Sequence, residues 1–161
     1  TTNSNIPRAV GTHSGWTQLV TGDGFACGLK ATGELLCWGA GAAGRLGNNA
    51  ITNQASPVSV RGGLAHLTAG LQHACAVDTD AGLWCWGFNS YGNLGLGDTV
   101  QRLVPTRVGT ADDWTHVYGG GHHTCGLRDE GDLWCWGYNV TGQLGLGNIT
   151  QRNAPVEVEP D

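Results

Sequence analysis

The sequence predicts an all-β fold assembled from repeated units of four short antiparallel strands. Three observations predict it. The chain aligns with itself, because segments of one pattern begin at Trp16, Leu64 and Trp114, offsets of 48 and 50 residues in a chain of 161. Within each unit the side chains alternate with period two: His123, Cys125 and Leu127 against Thr124 and Gly126, then Leu133 and Cys135 against Trp134 and Trp136. Gly and Asp clusters separate these runs, as tight hairpin turns require. Four short strands in about 50 residues is the period of a β-propeller blade.

The elements follow in order. In the third unit the strands read WTHVYG, HTCGL, LWCWG and PVEV, and we label them A to D. The D motif recurs as PVSV at Pro57, PTRV at Pro105 and PVEV at Pro155, with a further copy, PRAV, at Pro7. The expected organisation is therefore 1–15 as the tail strand of a preceding repeat, then repeats at 16–63, 64–113 and 114–161. That is three full blades plus a stray N-terminal strand: a partial propeller, or half of a six-bladed ring of two copies. The connections GRLG, GNLG and GQLG between C and D use Gly where turns need positive φ. A phosphate cradle would need a strand leading into a helix, and no helix pattern follows.

Composition removes several function classes. Charged residues are 13 %, net charge is −5, and Lys30 is the single lysine, which argues against a nucleic-acid partner. No apolar run approaches the roughly 20 residues of a membrane-spanning helix, so no membrane insertion is expected. The chain opens without a basic-then-apolar signal pattern and has no Met, giving the expectation of a processed or excised chain.

The spaced pattern W-x-x-V-x-x-G-x-x-H-x-C-G-L, D-G-x-L-W-C-W-G-x-N-x-x-G-Q-L-G-x-G and P-x-x-V resembles the regulator-of-chromosome-condensation repeat family. Gly120, His123, Leu127, Trp136, Gly137, Asn139, Gly142, Leu144, Gly145 and Pro155 carry the resemblance, which covers about the whole chain. It implies a propeller of four-stranded blades, usually seven. The first repeat departs from the pattern at Leu36 and Gly41. The best-known eukaryotic member is a chromatin-bound exchange factor for a small nuclear GTPase. Few lysines, three blades and paired cysteines speak against carrying that activity over. The chain looks more similar to secreted bacterial members with Cys pairs, one relative being a β-lactamase inhibitor that binds its target through loops on one propeller face.

The six cysteines fall as Cys27/Cys37, Cys75/Cys85 and Cys125/Cys135, each pair ten residues apart. A hairpin centred on residue 130 sets Cys125 opposite Cys135, close enough for a disulfide, and residues 32 and 80 centre the other two. Three intra-blade disulfides are expected, implying a secreted or otherwise extracytoplasmic protein. A metal site and unpaired buried thiols are the competing readings. Zinc ligands usually come as closely spaced pairs, which these are not.

Other chemistry is weaker. His122 and His123 precede Cys125, but Phe25 and His73 occupy the position of His123 in the other repeats, which marks it as a packing position. Asp78-Thr79-Asp80-Ala81-Gly82 resembles a calcium loop but aligns with the hairpin turn at Lys30–Glu34. No nucleophile–base motif is recognisable, so no enzyme, cofactor or metal is expected. Asn139 and Asn148 head glycosylation sequons, and Asn139 is also a family turn position. The tryptophans flanking the C-strand cysteines are expected to form inter-blade core.

One asymmetry points to function. The B–C and D–A turns share one rim and carry Glu34, Asp78, Asp80, Asp112, Asp113, Asp129, Glu130 and Asp132. The A–B and C–D loops share the other, with Phe88, Tyr91, Tyr138, His122, Arg45, Arg102 and Arg152. Aromatics and arginines are enriched at binding hot spots, so this second rim is the candidate surface for a protein partner of unknown identity. The expected function is a non-catalytic extracellular binding module. A self-assembling ring and a glycan-binding or enzymatic propeller are the alternatives.

Overall fold

The computed structural model describes Ile6 and residues 14–159. The PRAV segment at Pro7, expected as a stray strand, lies outside the described residues. Among the described residues, twelve strands form three antiparallel sheets of four. The first blade comprises β1 (Trp16–Thr21), β2 (Phe25–Lys30), β3 (Leu35–Gly39) and β4 (Gln54–Arg61). The second comprises β5 (Leu64–Ala69), β6 (His73–Asp78), β7 (Leu83–Gly87) and β8 (Arg102–Arg107). The third comprises β9 (Trp114–Gly119), β10 (His123–Arg128), β11 (Leu133–Gly137) and β12 (Arg152–Glu157). In each, spatial order follows chain order, as three consecutive hairpin connections dictate.

The D strands differ from their sequence motif. Each begins three residues before its proline, at Gln54, Arg102 and Arg152, so Pro57, Pro105 and Pro155 sit inside a strand. This is possible because D is the outer strand, where a residue lacking an N–H can face away from the ladder. Register irregularities accompany the proline in all three blades.

The central hairpins pair Cys27 with Cys37, Cys75 with Cys85 and Cys125 with Cys135, and each pair is a disulfide with Cα atoms 4.1 Å apart. No described cysteine is free. Period-two alternation gives each sheet a Cys face and a Trp face, and blades stack Cys face to Trp face. Cys27, Cys37, Leu29 and Leu35 of the first blade form one core with Leu67, Ala74, Ala76 and Trp86 of the second. Cys75, Cys85, Val77 and Leu83 form the next with Trp114, Val117 and Trp136 of the third. Trp86 and Trp136 are fully buried and bond across the joint, Trp86 Nε1 donating to Arg45 O (3.2 Å) and Trp136 Nε1 to Asn93 O (3.1 Å). Gly47 and Gly95 must be glycine here: both have positive φ, and a Cβ would fall 2.8 and 2.7 Å from these indole nitrogens.

A polar chain completes the second joint. Buried Thr124 donates to Asn93 O at 2.8 Å, so its oxygen must accept from His73 Nε2–H at 2.9 Å. This fixes the His73 tautomer and leaves its buried Nδ1 unpartnered. Burial, reinforced by His122 and His123, pushes the His73 pKa down to about 3. Phe25 fills the equivalent place in the first blade, where Gly22 leaves room for its ring as Gly70 does for His73.

Candidate functional site: the aromatic loop rim

The rim loops are built by the same local rules in the second and third blades. Asn89 is fully buried; its amide donates to Asp98 O and Val100 O, both at 3.1 Å, and its carbonyl accepts from Leu94 N at 2.9 Å. Asn139 repeats this with Asn148 O (2.9 Å), Thr150 O (3.0 Å) and Leu144 N (3.0 Å). One side chain thus closes each C–D loop. The glycosylation pattern at Asn139 belongs to this role, since its amide nitrogen is committed inside the loop. Gly41 lacks that amide, and the first loop borrows Asn53, whose Oδ1 accepts from Gly41 N at 3.0 Å.

These loops hold Phe88 and Tyr91 on the second blade and Tyr138 on the third, while the A–B loop of the third blade supplies His122. The four rings meet across the joint. Tyr91 lies 4.8 Å from Tyr138, 5.0 Å from His122 and 5.8 Å from Phe88, and Phe88 lies 5.6 Å from His122, between ring centroids. Backbone bonds anchor the cluster: Phe88 N donates to Gln72 O (3.0 Å) and Tyr138 N to His122 O (2.9 Å). All four residues are half-buried, so each keeps part of its surface toward solvent.

The arginines behave differently. Arg45 is only 6 % exposed, its Nε and Nη1 donating to Ala42 O (2.9 Å) and Asp23 O (2.7 Å). It stiffens the first C–D loop, and does not present its guanidinium on the rim as the sequence suggested. Its place in the repeat matches Asn93, whose carbonyl likewise receives a tryptophan. Arg102 bonds Asp98 and Val100 O, both at 2.6 Å. Arg152 lines a shallow groove of about 310 Å³ with Leu146 and Val156 on the outward face of the third blade.

Sequence reasoning missed the aliphatic fringe of this rim. Ile51, Leu71, Val100, Val140 and Ile149 are exposed on its loops. An aliphatic residue in a loop gives no sign of whether it packs inward. Several acids of the opposite rim are paired with cations. Lys30 pairs with Glu34 at 2.8 Å, Arg61 lies 3.8 Å from Asp78, Arg128 Nε bonds Asp113 at 2.7 Å, and Arg107 bonds Asp112. The calcium-like Asp78 is a turn organiser. Its Oδ1 accepts from Asp80 N (3.0 Å) and Gly82 N (2.8 Å), and its Oδ2 from Trp84 Nε1 (2.7 Å). Burial opposes its ionisation, but these bonds and Arg61 outweigh burial and hold the carboxyl below its usual pKa. Among the described residues no three His, Cys, Asp or Glu side chains are grouped to hold a metal ion.

Four-stranded blades stacked Cys face to Trp face, with loops gathered on two rims, define a segment of a β-propeller. The regulator of chromosome condensation (RCC1) repeat matches residues 80–127 and 130–161, and a second form of the same repeat matches 16–45, 65–93 and 114–143. The chain belongs to the RCC1 repeat family. Human WBSCR16 is similar in structure, with 27 % identity and a TM-score of 0.78, over 88 % of this chain and 37 % of its own. So are yeast RCC1 (Prp20) in its complex with Kap60 (22 % identity, TM-score 0.80, 92 % and 38 %) and Prp20p of Saccharomyces cerevisiae (18 %, 0.80, 91 % and 39 %). The chain therefore spans less than two-fifths of these neighbours. No curated protein sequence matches it.

Proposed function

We propose that the chain is a non-catalytic, extracytoplasmic protein-binding module that contacts its partner through the A–B/C–D rim. The observation that carries this reading is the joined cluster of Phe88, Tyr91, His122 and Tyr138, edged by exposed Leu71, Val100 and Val140. Pre-packed rings lose little freedom on binding, and their exposed faces bury large area per residue. Three disulfides support an oxidising compartment. A relative in the same fold, yeast RCC1, is bound by the protein Kap60, which supports the class of function and not its target. The test compares partner capture by the parent, by F88A/Y91A/Y138A, and by an opposite-rim variant, D129N/E130Q/D132N. A partner held by the parent and the opposite-rim variant and lost by the triple alanine supports the rim. A partner retained by the triple alanine overturns it.

A second reading, head-to-tail association into a closed ring, is favoured by a separate observation. Leu35 and Leu83 on the buried Cys faces are 0 % exposed, whereas their counterpart Leu133 on the outward Cys face is 38 % exposed. Trp38, the counterpart of fully buried Trp86 and Trp136, is only half-buried on the outward Trp face of the first blade. These two faces are the same pair that join blades inside the chain. A native mass near twice 16.8 kDa that reverts to monomer in Leu133→Glu is expected for a ring of two copies. A monomer at all concentrations excludes it.

A further inference from the structure

We infer that the cleft between the second and third blades binds a carboxylate carried on an apolar body. The two inter-blade clefts are built alike and filled differently. In the first, Arg61 lies over Trp84, its guanidinium carbon 3.5 Å from the ring centroid. Asp78 closes that site by accepting from Trp84 Nε1 at 2.7 Å and facing Arg61 at 3.8 Å. Indole and carboxylate thus satisfy one another within the chain, and the guanidinium fills the space over the ring beside them, its buried Nε without a hydrogen-bond partner.

In the second cleft two of these three parts are exchanged. Gly109 follows Val108 as Arg61 follows Val60, so the plugging side chain is missing. Gly109 has φ +61°, and a Cβ there would meet nothing within 4 Å. Arg128 ends β10 where Asp78 ends β6, so the carboxylate that caps the Trp84 indole has no counterpart on Trp134, and the carboxylates near the cleft, Asp112 and Asp113, pair with its arginines instead. What remains is a cavity of about 390 Å³ lined by Leu96, Val108, Trp114, Trp134, Arg107 and Arg128, with Pro155 at its outer side. The guanidinium carbon of Arg128 stands 5.0 Å from the Trp134 ring centroid.

The polar chemistry of this cavity is one-sided. Its only polar side chains are two arginines and two tryptophans, and all four are donors without acceptors. The Nε1–H groups of Trp114 and Trp134 have no hydrogen-bond partner, unlike that of Trp84. Arg128 engages Asp113 through Nε and Nη2, and Arg107 engages Asp112, both from the loop beside the cleft. Those bonds aim the guanidinium groups and leave further N–H donors on each. A guest carboxylate would take the place that Asp78 holds one blade earlier, accepting from the Trp134 indole beside a guanidinium. Its apolar body would lie on Leu96, Val108 and Pro155. The cleft shares no residue with the aromatic rim.

The test is titration of the intact chain with 3-phenylpropionate, followed by the indole N–H resonances in ¹H–¹⁵N NMR. The Trp114 and Trp134 signals should shift while Trp84 stays unmoved. 3-Phenylpropionamide should bind about tenfold more weakly, because a charge-assisted acceptor is replaced by a neutral one. Binding should be lost in Trp134→Leu, which installs the residue found at Leu36, and in Arg128→Asp, which installs the residue found at Asp78. A peptide ending in a free Phe carboxyl, beside its C-terminal amide, separates the two sources. Tighter binding of the peptide acid assigns the site to a protein C-terminus, and binding no tighter than phenylpropionate assigns it to a free organic acid. Equal affinity for acid and amide, or shifts that leave Trp114 and Trp134 unmoved, overturns the proposal. So does binding that survives both substitutions.

Discussion

Replacing His73 with Phe should remove much of the acid sensitivity of the joint between the second and third blades. In the folded protein His73 is fully buried, with Nε2–H committed to Thr124 and Nδ1 facing no acceptor. A proton on Nδ1 would be a buried charge without a partner, which is why the pKa falls from 6.5 to about 3. In the unfolded chain the imidazole takes its proton near pH 6.5. Between these values the unfolded state binds more protons, so the stability is present above pH 6.5 and is lost as pH falls toward 3. At about 1.4 kcal/mol per unit, going from pH 6.5 to 4.5 removes about 3 kcal/mol through this one group. Phe does not titrate, and Phe25 shows that a repeat accepts it there. Its neutral-pH cost is one hydrogen bond, about 1 kcal/mol, because Thr124 keeps Asn93 O as acceptor. Urea unfolding of both proteins at pH 7.5 and about pH 4.5, disulfides intact, measures the difference. The parent should lose about 3 kcal/mol more than the variant. Equal losses would refute the claim that the buried Nδ1 is what acid attacks.

Three further outcomes follow from the same structure. Asn139→Ala removes three hydrogen bonds from a buried loop closure and should cost about 2–4 kcal/mol in thermal or urea unfolding, whereas Asn148→Ala, at an exposed position, should cost well under half of that. In a glycosylating host, peptide mass spectrometry should find Asn139 unmodified because its amide lies inside the loop; a glycan there contradicts the buried geometry. Under limiting reductant, Cys125–Cys135 should be alkylated before the other two disulfides. Cys125 is half-buried on the outward face, while Cys27, Cys37, Cys75 and Cys85 are sealed between blades. Simultaneous reduction of all three would show that the outward face is covered in solution.

Much of the blade was legible because its geometry is local. Cysteines ten residues apart around a Gly-containing turn can only face one another if the turn is centred between them, and all three hairpins pair that way. Alternation with those cysteines set the tryptophans on one face, where Trp86 and Trp136 are buried core as expected but Trp84 and Trp134, nearer the B–C turns, are only half-buried. The D strands were less legible, since proline read as a strand start when it occupies the interior of an outer strand. Arg45 was misread because a charged residue in a loop is ordinarily exposed, and only the approach of Asp23 O and Ala42 O gives its donors partners inside. The pairing of the acidic rim was not legible, because Arg107 and Arg128 reach aspartates five and fifteen residues away, Asp112 and Asp113, only once the strands are paired.

By itself the sequence determined the repeat, the four-stranded unit, the register of each central hairpin and the disulfides. These depend on period-two alternation and turn chemistry within about fifty residues. Only the tertiary structure decided what happens between blades. Phe88 and Tyr91 come from one repeat and His122 and Tyr138 from the next, and they become one cluster only when Cys face meets Trp face. The same stacking decided that Leu133 stays open while Leu35 and Leu83 are sealed. It also decided that Gly109 leaves a cleft where Arg61 fills one. Hairpin geometry is set by neighbouring residues in the chain. The joints are set by side-chain volumes and donors brought together from residues some twenty to fifty positions apart, which no local pattern encodes.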